Sequence, residues 1–125
     1  MMTSKLFCKL LCAVSGLVLL SATALALPPM GQVFTTHYKV GAKSALKKAD
    51  CGVCHIGRQP KLNPYGEDLK AALNGAKELT ADALKQVESK DSDKDGFKNL
   101  DEIKADTNPG DLKSKPGKTG KARKK

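Results

Sequence analysis

The chain has 125 residues, with 22 Lys and Arg against 13 Asp and Glu, a formal net charge of +9, and an aromatic content of 4% with no Trp. That length allows one small domain and excludes barrel or two-domain enzyme scaffolds. So few large apolar side chains build only a thin core, and a core this thin needs a staple such as a disulfide, a metal or a cofactor.

Residues 1 to 26 have the order of a secretory signal: Lys5 and Lys9, then an apolar run from Leu10 to Leu20, then Ala24-Leu25-Ala26 before Pro28 and Pro29. The run is shorter than the roughly 20 residues a membrane span needs. Cleavage near Ala26 and a periplasmic or secreted location are expected, which leaves Cys51 and Cys54 as the cysteines of the mature chain. Cys12 lacks the small preceding residues of a lipoprotein site.

In the mature chain, Phe34, Tyr38, Ala42, Ala45 and Leu46 recur at helical spacing, so one helix is expected over Gln32 to Leu46, with Gly41 as its weak point. Cys51-Gly52-Val53-Cys54-His55 follows. It is the Cys-x-x-Cys-His signature of c-type haem attachment, in which two thiols meet the porphyrin vinyl groups and the adjacent imidazole ligates iron. A redox dithiol would call for a βαβ pattern, which is missing. Zinc would draw on Cys51, Cys54, His55 and His37, but adjacent Cys54 and His55 make poor tetrahedral partners. A disulfide across so short a loop would constrain the unfolded chain little. The candidates for a sixth iron ligand are His37 and Met30.

Asn63-Pro64 starts a second helix with Tyr65, Leu69, Ala72 and Leu73 inward, and Asn74-Gly75 stops it. Thr80 caps a third helix running to about Lys90, with Leu79 and Leu84 as its hydrophobic staple. Asp91 to Glu102 then matches the twelve-residue calcium loop: carboxylates from Asp91, Asp93, Asp95 and Glu102, the carbonyl of Phe97, Asn99 at the ninth position and Gly96 at the turn. Lys98 occupies the eighth position, where paired loops carry an aliphatic residue, and no second loop exists, so a lone structural site is expected. A short fourth helix carries Leu100 and Ile103 until Thr107-Asn108-Pro109-Gly110 ends it, and Asp111 to Lys125 has the composition of a disordered basic tail.

Charge is distributed unevenly. Residues 112 to 125 hold seven bases and no acid, residues 27 to 77 hold eight bases and three acids, and residues 78 to 111 hold five bases and ten acids. Lys43, Lys47, Lys48, Arg58 and Lys61 flank the haem motif, a patch suited to an acidic redox-partner protein. Export makes nucleic acid an unexpected partner, and the tail suits peripheral contact with an anionic surface.

Cys51 to His55, Asn63-Pro64-Tyr65-Gly66 and the Asp91 to Asn99 run together resemble small exported bacterial monohaem cytochromes c that carry a dockerin-like or thrombospondin-type-3-like calcium loop, over most of residues 43 to 110. The resemblance implies that Tyr65 packs on the porphyrin. One departure is the lack of a Met downstream of His55. The expected protein is all-α: a small bundle of short helices around covalent haem (27 to 78), an EF-hand-like calcium region (79 to 110) packed on it, and the tail from 111. Electron transfer is the expected function, with haem-based sensing of a small ligand and a calcium-structured interaction module as alternatives. No nucleophile and base pair marks an enzyme.

Overall fold

The computed structural model describes residues 29–117; the expected signal segment, its expected cleavage near Ala26 and the last eight residues of the basic tail lie outside them. The described residues contain five short α-helices and no strands, all-α as the sequence patterning predicts but with one helix more than the four expected: α1 Met30–His37, α2 Ala45–Ala49, α3 Pro64–Leu73, α4 Ala81–Val87 and α5 Asn99–Lys104. None of these helices is long and apolar enough to cross a membrane.

The single helix expected over Gln32 to Leu46 is two. Lys39 takes a left-handed φ of 52°, two residues before Gly41, and Ser44 restarts the helix by accepting from the Lys47 N–H at 3.0 Å. Asp106, far along the chain, supplies the remaining acceptors: its carboxylate takes the N–H groups of Ala45 (2.8 Å) and Leu46 (3.2 Å). A tertiary cap of this kind explains why a five-residue helix persists, since isolated helices so short are unstable in water. A 3₁₀ turn, Asp50–Val53, follows directly, entered through Asp50 at φ 50°.

Helix α3 follows the expected signals. Asn63 accepts from the Gly66 N–H at 2.9 Å, Pro64 occupies the first turn, and Asn74 leaves in the left-handed region at φ 45°. Thr80 caps α4 through the Ala83 N–H at 3.2 Å, but the helix ends at Val87 rather than near Lys90. The core gathers Phe34, Leu46, Val53, Tyr65, Leu69, Leu79, Ala83, Leu84, Val87 and Ile103 from all five helices and the turns between them. Phe34 is its aromatic hinge, edge-on to Tyr38 at 5.0 Å and to Tyr65 at 6.3 Å.

Residues 111–117 do not continue as the expected disordered tail. They form turns tied to the body, where Ser114 Oγ accepts the Asn108 N–H at 2.8 Å and Lys115 Nζ lies 3.9 Å from Asp95 Oδ2. Hydroxyl and ammonium side chains found partners that composition alone does not reveal.

Candidate functional site

A cavity of about 890 Å³ opens between α1, α3 and the Cys51–His55 segment. Its apolar walls are Phe34, Leu46, Val53, Leu62, Leu69, Leu73 and Leu79, and Cys51, Cys54 and His55 all reach its lining. The volume falls in the range typical of sites that enclose an organic cofactor.

The Cys51–His55 segment is held by contacts on both sides. His55 pairs by an antiparallel bridge with Leu62, and its Nδ1 lies 3.2 Å from the Pro60 carbonyl. A carbonyl only accepts, so Nδ1 carries the proton and Nε2 keeps the lone pair that a metal takes. Asn63 Nδ2 donates to the carbonyls of Val53 (2.9 Å) and Gly52 (3.3 Å) while its Oδ1 caps α3. Gly66, on the first turn of α3, lies so close to the Cys54 carbonyl that a Cβ there would overlap it. Asn63-Pro64-Tyr65-Gly66 thereby docks α3 directly on the Cys-x-x-Cys turn.

Both cysteines are free thiols. Burial pushes the Cys54 thiol up to about 11, with the charge of Cys51 adding to the effect. The Cys54 thiol is therefore held in its protonated form by its apolar surroundings.

The expected ligands divide. Met30 lines the cavity from the start of α1. His37 does not: its Nε2 faces Oε1 of Glu88, just past the end of α4, at 3.7 Å and its ring stacks edge-on against Tyr38, because the far end of α1 turns toward α4. Tyr65 is likewise outside the lining. It is fully buried in the core beside Phe34, where burial raises its phenol well above the usual range, with Tyr38 next and then Cys54 adding to the shift. Packing of Tyr65 on a cofactor in this cavity is therefore corrected to a core role. Lys70 was missed by sequence reasoning; it joins Lys47 in the lining, one turn after Gly66 on α3. The other members of the basic patch, Lys43, Lys48, Arg58 and Lys61, are exposed.

The acidic loop forms a second site. Asp91, Asp93 and Asp95 bring carboxylate oxygens within 4.8 Å of one another. Asp91 accepts the N–H groups of Asp95 (3.1 Å) and Gly96 (2.9 Å), Asp93 accepts that of Asp95 (3.1 Å), and Asp95 accepts that of Phe97 (2.9 Å). Gly96 makes the turn at φ 98°. Glu102, on α5, is 0% exposed, and neither of its oxygens, nor Asp93 Oδ2, has a hydrogen-bond partner among the described residues. Buried carboxylate oxygens without donors are costly unless a cation meets them, and an all-oxygen set is the chemistry Ca²⁺ selects.

Asn99 does not join that set. Its Oδ1 accepts the Ser92 N–H at 3.2 Å and its Nδ2 donates to Val87 O at 2.7 Å and Ser92 Oγ at 2.8 Å, so the amide is spent fastening the loop to α4. Ser92 and Lys90 in turn bind Asp68 of α3 at 2.6 and 2.8 Å. Burial opposes the charge on Asp68, but these donors outweigh it and hold the carboxyl below its usual range. Asn99→Ala is expected to cost about 2 kcal/mol in urea unfolding, the scale of stranding buried groups. Its Ca²⁺ affinity by chelator competition should stay within a few fold of the parent, whereas a ninth-position ligand would lose far more.

No protein-family model matches the chain, and no curated protein or solved structure matches it.

Proposed function

We propose that the protein is an exported monohaem c-type cytochrome that carries electrons by outer-sphere transfer and is stabilised by one calcium ion. The observation that carries this reading is the arrangement at His55: an imidazole whose Nδ1 donates to the Pro60 carbonyl, beside two free thiols on one apolar cavity. Cys51 and Cys54 would hold the haem as thioethers, with His55 Nε2 as the proximal ligand. When bound, the group supplies a one-electron iron couple. The leucines of the walls would exclude water, and Lys47 and Lys70, also in the lining, would supply cationic partners for the propionates. Asp91, Asp93, Asp95, Glu102 and the Phe97 carbonyl would hold calcium. The exposed Lys43, Lys48, Arg58 and Lys61 would guide an acidic redox partner, and electrostatic steering of that kind raises association rates.

A pyridine haemochrome assay on exported protein tests the reading. One covalent haem per chain is expected, and none in the Cys51→Ala/Cys54→Ala variant; a wild-type chain without covalent haem would sink it.

Of the two candidates for the sixth position, the cavity favours Met30. The reduced protein should then be six-coordinate, low-spin and indifferent to carbon monoxide. Met30→Ala should become five-coordinate, bind the gas and drop in reduction potential, while His37→Ala leaves the spectrum unchanged. A wild-type spectrum that already shifts with carbon monoxide would favour small-ligand sensing instead. Haem without redox cycling, and surface attachment lost on trimming the tail, would favour the interaction module.

A further inference from the structure

We propose that Asp106 to Gly110, the segment following the last carboxylate of the acidic loop, is a clasp through which cation binding positions the Cys51–His55 turn. The inference rests on the functional reading above and concerns how its two sites act on each other.

The link begins at Glu102. Its main-chain carbonyl accepts both the N–H of Thr107 at 2.9 Å and the hydroxyl of Thr107 at 3.1 Å, so the residues after α5 follow wherever Glu102 is held. Asp106 then caps α2 through Ala45 and Leu46, and α2 runs straight into the 3₁₀ turn that carries Cys51. Asn108 Nδ2 donates at 2.9 Å to the carbonyl of Gly52, inside the Cys-x-x-Cys spacing. Pro109 is fully buried, and Gly110 lies against Asn63 so closely that a Cβ would come 2.5 Å from the Asn63 amide. Asn63 holds Gly52 and Val53 from the other side.

The bonds from Asp106 to Ala45 and Leu46 and from Asn108 to Gly52 end on main-chain atoms, so these residues act as positioning residues. Asp91, Asp93 and Asp95 gather their oxygens within 4.8 Å, and the buried Glu102 has no partner for either oxygen, so a cation shared by them would hold Glu102 and with it the end of α5. Whatever fixes Glu102 fixes the clasp, and linkage requires the converse: order imposed at the Cys51–His55 turn tightens cation binding by the same factor.

Calorimetry with Ca²⁺ on the full chain tests this. The haem-loaded protein should bind Ca²⁺ about 5- to 20-fold more tightly than the haem-free Cys51→Ala/Cys54→Ala form, within the usual span of coupling between sites. Asn108→Asp keeps the acceptor for the Gly110 N–H, a bond of 3.1 Å, but loses the donor to Gly52, and its ratio should fall to about 1. A wild-type ratio of 1, or one that survives Asn108→Asp, overturns the clasp.

Hydrogen exchange on the wild-type chain, with or without haem, gives a second reading independent of variant folding. Ca²⁺ should slow the amides of Ala45 and Leu46 at least about tenfold more than that of Asn74, which bonds within α3 to Ala71. Equal slowing at all three overturns the clasp, whereas a chain lacking haem by haemochrome overturns only the cytochrome reading.

Discussion

Chelating calcium at pH 8 is expected to lower the melting temperature by about 20 °C. The figure follows from two steps. A ligand present at a thousandfold its dissociation constant stabilises the fold by about 4.1 kcal/mol. Each kcal/mol is worth about 4–8 °C in a domain of this size. The effect is large here because the metal-free loop holds Glu102 buried, its carboxyl pushed up to about 8 first by burial and then by Asp93, Asp95 and Asp91. Burial and then Asp95 similarly raise Asp93 to about 6.

Both folded-state values stand above those of the unfolded chain, so the folded form binds these protons more tightly. Their contribution is fully present below the unfolded carboxylate range and is lost as pH rises through about 6 and then about 8. In a chelator, the melting temperature should therefore fall between pH 5 and pH 9. In excess calcium the fall should disappear or reverse, because binding requires the ionised carboxylates and releases their protons. Thermal melts across that range under the two conditions check the claim. A flat profile in chelator would remove the strained Glu102 from the account, and equal melting temperatures in both would remove the ion.

Much of this was legible in the chain because it depends on local spacing. Asn63-Pro64 and Thr80 cap helices by contacts three residues away, so the sequence shows donor and acceptor together. The same holds for the acidic loop, where Asp91, Asp93 and Asp95 converge through a five-residue turn. What periodicity missed is long-range. The break at Lys39 interrupts an unbroken apolar stripe, and α2 survives through Asp106, 61 residues from Ala45. Asn99 has the residue type for the ninth loop position, and only the fold shows its amide turned to Val87 and Ser92. His37 and Met30 both sit on α1 with suitable donor atoms; which end of the helix meets the cavity is a packing outcome. Thr107 to Gly110 carries clear helix-stopping residues, and that local reading concealed their contacts with Gly52 and Asn63.

Gly66→Ala is expected to destabilise the protein by about 3 kcal/mol, the upper end of overpacking costs, and to lower the yield of covalent haem. A methyl group normally strengthens a helix by up to about 1 kcal/mol over glycine. At position 66 it would overlap the carbonyl oxygen of Cys54 and crowd Leu62, and a backbone carbonyl has no rotamer by which to move aside. Either α3 lifts away, taking the Asn63 bonds to Gly52 and Val53 with it, or the Cys51–His55 turn shifts. Both responses separate the two thiols and His55 from the wall they share with Leu69 and Leu73. Gly41→Ala is the control, since a Cβ there meets nothing within 4 Å, and it should change stability by less than about 0.5 kcal/mol. Urea unfolding gives the two stabilities and haemochrome absorbance per chain gives the loading. If Gly66→Ala matches Gly41→Ala in both, α3 does not bear on the Cys51–His55 turn, and the reading of Asn63-Pro64-Tyr65-Gly66 as its docking device falls.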